Sequence, residues 1–183
     1  MTSSINWNVD NTEGFVPIGT HSLYLRAAGP VRSTGIPAMV GITGLGDSSV
    51  SWIAVLRSVS SFARGYIYNR AGLRNSELPL NFTSEAKNFV NMAKELRALL
   101  DIAGIEPPYV LVMHSLAGLP GREFLHLYPK DVAGMVFLDC LTEESYKIRP
   151  EKLPRVMHAL CEVVDMSFLW TERKHQINSL KKN

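Results

Sequence analysis

The sequence predicts an α/β protein whose mostly parallel sheet begins with an antiparallel hairpin. Short runs of β-branched and other apolar residues alternate with segments whose apolar residues recur at helical spacing. The first two strand-like runs are separated only by Gly19-Thr20, which is typical of a hairpin turn. The later alternation of strands and helices is typical of βαβ units, which build parallel sheets.

Six strands are predicted, each as a short run bounded by turn residues. They span 15–18, 21–27, 38–42, 65–68, 109–112 and 132–138. The fifth run, Tyr109-Val110-Leu111-Val112, is too short and too β-branched for a helix and follows Pro107-Pro108. It is therefore predicted to be a buried parallel strand.

Three helices are predicted between these strands. The first passes through residues 52–59, and the third follows Ser115 and ends at Pro129. The second ends at Gly104 and has an apolar face formed by Phe89, Ala93, Leu96, Leu100 and Ala103. The candidate N-caps are Ser48 or Ser49 for the first helix and Thr83 or Ser84 for the second.

The chain divides into two predicted parts. Residues 1–145 carry the alternation of strands and helices and form a partial α/β core. Residues 146–183 show no further strand pattern, and their apolar residues recur at helical spacing after Pro150 and Pro154. We therefore expect the second part to be a helical, lid-like segment or tail.

Composition and charge argue against several classes of protein. A net charge of +2, with 46% hydrophobic and 20% charged residues, is ordinary for a globular domain and suggests no nucleic-acid partner. No apolar stretch approaches the length that spans a membrane. Cys140 and Cys161, with no secretory leader before them, favour reduced thiols in a cytoplasmic protein. No spacing of ligating residues predicts a metal or another cofactor.

The chemistry of the chain is concentrated in the hexapeptide Met113-His114-Ser115-Leu116-Ala117-Gly118, between a strand and a helix. A serine at such a turn is exposed at the carboxyl edge of the sheet, where the following helix N-terminus can stabilise negative charge. The usual pattern is G-x-S-x-G, because the strained turn crowds the side chains two positions before and after the serine. Met113 occupies the first of these positions and must bend away from the helix.

The segments around this hexapeptide resemble an α/β-hydrolase of the esterase/lipase type, from about Phe15 to about Glu144. Besides the hexapeptide, the resemblance rests on the turn at 43–49, the Asn-Arg-Ala-Gly turn at 69–72, the helix and strand at 100–112, and the stretch at 128–139. These segments occur in the order that the family shows. The resemblance implies an α/β-hydrolase sheet that lacks its last strands.

The resemblance also implies roles for individual residues. Ser115 would be the nucleophile, and the backbone N–H groups of Leu116 and of the Gly44-Leu45 turn would form an oxyanion hole. Asp139 comes at the end of the strand predicted at 132–138, which follows the strand and helix around Ser115. Some relatives keep the acid of the catalytic triad at this place. The alternative role of Asp139 is an ordinary strand-end carboxylate.

The histidine base is the missing part of this expected triad. A serine hydroxyl needs a neighbouring imidazole to accept its proton. In the family that histidine follows the last strand, and this chain ends before such a strand. Only His158 and His175 lie in the segment that could fold over the sheet edge, and either could equally be an ordinary surface residue.

Three functions remain open from the sequence. The first is a serine hydrolase that cleaves an ester, lactone or related acyl bond of a small lipophilic molecule, for example in secondary metabolism. The second is a truncated, non-catalytic relative that acts by binding. The third is an isomerase or lyase that uses the same site without covalent chemistry. The apolar residues of the 146–183 segment could line an acyl pocket or promote self-association.

Overall fold

A mixed six-stranded sheet forms the centre of the structure. The computed structural model describes residues 5–79 and 88–142. The strands are β1 (Thr12–Pro17), β2 (Ser22–Ala28), β3 (Ala38–Ile42), β4 (Gly65–Tyr68), β5 (Tyr109–His114) and β6 (Val132–Leu138). Their spatial order is β1-β2-β4-β3-β5-β6. The β1–β2 and β2–β4 pairs are antiparallel, whereas β4, β3, β5 and β6 are mutually parallel. The predicted fold class is confirmed.

Three helices cover the two faces of the sheet. They are α1 (Ile53–Val59), α2 (Phe89–Ile102) and α3 (Gly118–Leu127). α2 and α3 contribute Leu96, Leu99 and Phe124 to the larger core cluster, whereas α1 packs Leu56 in a smaller cluster with Met39 of β3. Alternate residues of β3 enter the two clusters because successive side chains of a strand point to opposite faces.

The opening hairpin differs only slightly from the prediction. Its strands pair from Thr12 opposite Ala27 to Pro17 opposite Ser22. The turn is closed by the amide N–H of Ile18, which donates to the carbonyl oxygen of His21 at 2.9 Å. The first strand starts three residues before the predicted Phe15, because Thr12, Glu13 and Gly14 continue the ladder.

The predicted N-caps of the first two helices are wrong. α1 begins after Trp52 without a side-chain cap, and the amide N–H of Ser49 instead donates to Asn69 Oδ1 at 2.7 Å. α2 is capped by Asn88, whose side chain accepts from the amide N–H of Asn91 at 2.7 Å. Asn is as good a cap as Ser, so local propensity alone could not choose between the candidates.

The buried Arg64 anchors the N-terminal segment at the edge of the sheet where β4 begins. It is 2% exposed and donates to the carbonyl oxygens of Gly29 at 2.7 Å, of Val9 at 2.6 Å and of Trp7. A buried guanidinium has five N–H donors to satisfy, and these three carbonyls use most of them. The segment before β1 is thereby fixed to the sheet.

The predicted helical segment at 146–183 lies outside the described residues, as does the proposed self-association surface within it. Among the residues that the structure describes, none of the helices combines the length and the apolar character needed to cross a bilayer.

Candidate active site

Ser115 lies at a sharp turn between β5 and α3. Its φ angle is +54°, in the left-handed region that residues other than glycine rarely adopt. β5 ends at His114, a short 3-10 turn spans Ser115–Ala117, and α3 begins at Gly118. A strained serine between strand and helix is the geometry of a nucleophile elbow, which lifts the hydroxyl above the edge of the sheet. The residue is half-buried and therefore partly accessible to solvent.

The methionine that replaces the usual glycine before the serine is accommodated by a glycine in α3. Met113 is fully buried. A Cβ atom built on Gly121 would overlap with Met113 Sδ and lie 3.0 Å from its Cγ. The helix therefore leaves room for the methionine side chain, and the elbow keeps its strained form. The methionine was expected to bend away from the helix, but this expectation is wrong: its sulfur packs against the helix at Gly121, where no side chain blocks it.

The turn after β3 is held by its own polar side chains. Thr43 Oγ1 donates to the carbonyl oxygen of Asp47 at 3.2 Å, which closes the turn. The carboxylate of Asp47 accepts hydrogen bonds from the Ser48 amide N–H at 2.7 Å, from the Ser51 hydroxyl and from Trp52 Nε1 at 3.3 Å. Thr43 and Asp47 thus organise the turn.

Arg70 lies behind the same turn. It is 6% exposed, and its guanidinium donates to the carbonyl oxygens of Thr43 and, at 2.6 Å, of Gly44. Burial lowers the pKa of Arg70, whereas the neighbouring Tyr68 and Asp47 act in the opposite direction. The guanidinium thus uses its N–H groups as donors to the backbone of the turn.

The turn and the elbow pack directly against each other. A Cβ atom on Gly44 would lie 3.1 Å from His114 Nδ1 and 3.3 Å from Ser115 Cβ. This close approach places Gly44 beside the serine. His114 is exposed and borders the turn, and it makes no hydrogen bond to Ser115.

Asp139 follows the strand next to the elbow strand. Leu138 is paired with His114, so Asp139 and Ser115 are the next residues of two adjacent parallel strands. Asp139 is exposed, has a φ angle of +47°, and makes no side-chain hydrogen bond with a described residue. The carboxylate is therefore available at the sheet edge where the sequence placed a triad acid.

The chain after Asp139 crosses back over the elbow. The amide N–H of Leu141 donates to the carbonyl oxygen of Ser115 at 2.8 Å, and Cys140 Sγ donates to the carbonyl oxygen of Met113 at 3.2 Å. A Cβ atom on Gly118 would lie 2.7 Å from Cys140 Cβ, so this crossing is in close contact with the start of α3. Two backbone carbonyls of the elbow are thus held by the segment after β6.

Cys140 is expected to react slowly with alkylating agents. Burial raises the pKa of its thiol, so less of the reactive thiolate is present at neutral pH. In a Cys161→Ser variant, which leaves Cys140 as the only thiol, iodoacetamide at pH 7.5 should label the native protein several-fold more slowly than the urea-unfolded chain. Equal labelling rates in the two states would show that Cys140 is a freely reactive thiol.

A known family matches the part of the chain that contains Ser115. A model of the alpha/beta hydrolase fold family matches residues 37–160, more than half of the chain. The chain belongs to the alpha/beta hydrolase fold family. The matched range includes the turn after β3, Arg70, Ser115 and β6, and the hydrolase-fold resemblance drawn from the sequence is confirmed.

Relatives of this hydrolase-fold chain are longer proteins. One from Hormonema carpetanum, named probable transporter efuK, is 38% identical over 158 residues, which cover 85% of this chain and 22% of that protein. One from Gibberella zeae, named AB hydrolase superfamily protein, is 33% identical over 129 residues, covering 68% of this chain and 39% of that protein. The crystal structure of naproxen esterase from Bacillus subtilis superposes with a TM-score of 0.56 at 25% identity, over 70% of this chain and 43% of that one. The chain thus spans less than half the length of each.

The histidines of the described part of this hydrolase-fold chain do not supply a base. His21 is buried and its Nε2 lies 3.0 Å from Glu95 Oε1, between the hairpin and α2. His126 is exposed in the last turn of α3. His158 and His175 lie outside the described residues. Within residues 5–79 and 88–142, no cluster of His, Cys, Asp or Glu could hold a metal ion.

Two residues of the site were not singled out from the sequence. Arg70 was recognised only as part of the Asn-Arg-Ala-Gly turn, and Gly121 only as part of a helix. Both left a signal. A polar turn directly after a parallel strand lies at the edge of the sheet that carries the serine, and an isolated glycine within a helix commonly has a packing reason.

Proposed function

We propose that this hydrolase-fold chain is a serine hydrolase in which Ser115 attacks an ester, lactone or related acyl bond. The observation that carries the proposal is the left-handed backbone of Ser115 between β5 and α3. A side chain that only packed would gain nothing from this strain, which costs about 1–3 kcal/mol. A small lipophilic molecule, such as those of secondary metabolism, is the substrate class that we propose. The fold shared with naproxen esterase supports ester chemistry.

The proposed reaction follows from the groups around the elbow. Ser115 Oγ forms a bond to the acyl carbon, and the electron pair of the carbonyl moves to its oxygen. The amide N–H groups of Leu45 and Leu116 stabilise that oxyanion. The serine proton passes to a base and then to the departing alkoxide, and water later releases the acyl group. His158 and His175 are the candidate bases, and Asp139 is the candidate acid that would orient one of them.

A binding protein without catalysis is the second candidate function. The observation that favours it is that, among the described histidines, none donates to or accepts from the Ser115 hydroxyl. A serine without a base is a weak nucleophile. The same edge of the sheet would then bind a small acyl compound and leave it unchanged.

Labelling with a fluorophosphonate separates the two candidates. We expect the full chain to be labelled at Ser115, located by peptide mass spectrometry, and Ser115→Ala to lose the label completely. Ser48→Ala is the matched control, because Ser48 is another partly buried serine at the same edge. It should keep at least half of the labelling. A wild-type chain that gives a folded circular-dichroism spectrum but no label would contradict the hydrolase proposal and favour the binding protein.

A further inference from the structure

The direction of the Leu45 amide N–H is set from behind by Arg70. In a planar trans peptide, the N–H of one residue points opposite to the carbonyl of the residue before it. The N–H of Leu45 therefore points away from whatever holds the carbonyl oxygen of Gly44. That oxygen accepts from Arg70 Nη2 at 2.6 Å. The Leu45 N–H itself donates to no acceptor among the described residues, so it is free for a ligand.

The contact of Arg70 is specific to a planar two-pronged group. Nη1 donates to the carbonyl oxygen of Thr43 while Nη2 donates to that of Gly44, so one guanidinium holds two consecutive carbonyls. A lysine ammonium is a single point charge and does not match this fixed pair of acceptors. Asn69, the preceding residue, holds the other end of the turn by accepting the Ser49 amide N–H at 2.7 Å. The turn is thus fixed at both ends from the end of β4.

The second oxyanion donor is held in a similar way. The carbonyl oxygen of Ser115 accepts from the Leu141 amide N–H at 2.8 Å and from the Gly118 amide N–H. The Leu116 N–H therefore points away from those partners. It also lies in the first turn of the helical segment, where N–H groups have no acceptor within the helix. Both peptides that carry the candidate donors are held by their carbonyls.

We propose that Arg70 is a positioning residue that holds the Gly44 carbonyl and so aims the Leu45 N–H at the oxyanion. The inference rests on the proposed serine hydrolase function. Preorganised donors cost no reorganisation when charge develops in the transition state, so their alignment affects turnover more than substrate binding. Arg70 is 6% exposed and lies behind the turn, so its effect would pass through the turn rather than by contact with substrate.

The test is the hydrolysis of p-nitrophenyl butyrate by Arg70→Lys in the full chain. Lysine keeps the charge but cannot hold both carbonyls. We expect kcat to fall about 10–100-fold, with KM within about twofold of the wild-type value. Arg70→Gln, whose shorter amide cannot hold both carbonyls, is the second variant and should show the same split between kcat and KM.

Arg64→Lys is the matched control. Arg64 is also a buried arginine that holds backbone carbonyls, but it lies where β4 begins, at the opposite edge of the sheet. The Arg64→Lys substitution should lower the melting temperature and leave kcat within about twofold of the wild-type value. If Arg70→Lys keeps wild-type kcat, or if Arg64→Lys loses as much, the positioning role is wrong while the hydrolase function stands. A wild-type chain without turnover or fluorophosphonate labelling overturns the proposed function, and the Arg70 inference with it.

Discussion

Replacing Gly29 by alanine is expected to lower the free energy of unfolding by about 2–6 kcal/mol. Gly29 has a φ angle of +108°, which an alanine adopts only with strain of about 1–3 kcal/mol. The added Cβ would also overlap with the carbonyl oxygen of Ala63, and this backbone group cannot rotate away as a side chain could. Overpacking of this kind adds about 1–3 kcal/mol. Urea unfolding followed by tryptophan fluorescence measures the loss.

Gly35→Ala separates the two causes of that loss. Gly35 also has a positive φ angle, +81°, but no atom lies within 4 Å of its added Cβ. Its substitution should therefore cost only the strain of the backbone, about 1–3 kcal/mol. If Gly29→Ala cost no more than Gly35→Ala, the close contact with Ala63 would not contribute to stability.

Replacing Gly121 by alanine is expected to destabilise the wild-type protein and to stabilise a Met113→Ala variant. In the wild-type protein the new Cβ would overlap with Met113 Sδ, which we expect to cost about 1–3 kcal/mol. In the variant the overlapping sulfur is absent. Alanine is then favoured over glycine within a helix by up to about 1 kcal/mol, and it fills part of the space left by the methionine.

A double-mutant cycle measured by urea unfolding provides this comparison. The two substitutions should be strongly coupled, and the effect of Gly121→Ala should change sign between the two backgrounds. Gly65→Ala in β4 is a control, because its Cβ would approach Leu56 in the other core cluster. Its cost should be the same whether or not Met113 is present. Additive effects at 113 and 121 would show that the helix glycine does not accommodate the methionine.

The strands of the sheet could be predicted from the sequence because their signals are local. The third, fourth and sixth strands have the bounds that their apolar runs predicted, at 38–42, 65–68 and 132–138. The helix N-termini could not be predicted in the same way. Ser49 is a good cap by propensity, but α1 begins only after Trp52, and Ser49 is held in the preceding turn by Asn69, twenty residues later in the chain. A contact between two strand ends does not appear in a short window of sequence.

The part of the candidate site that lies within one short motif could be predicted from the sequence. Ser115 was identified from the strand, turn and helix around it, and its strained backbone agrees with that prediction. The support for the turn could not be predicted, because Arg70 reaches Thr43 and Gly44 only after β4 has inserted beside β3. The accommodation of Met113 likewise depends on how α3 packs against β5. The roles of Leu45, Leu116 and Asp139 remain predictions.

The order of the strands also has a consequence for synthesis on the ribosome, where the chain emerges from its N-terminus. β2 is made early, but its inner neighbour is β4, which follows β3 in the chain. β3 in turn lies between β4 and β5, so one of its edges stays open until His114 has been made. A nascent chain that ends before His114 presents unpaired N–H and C=O groups along the apolar strand β3. Such an open edge is a template for wrong pairing. The elbow strand that carries the serine is therefore also the strand that closes the centre of the sheet during translation.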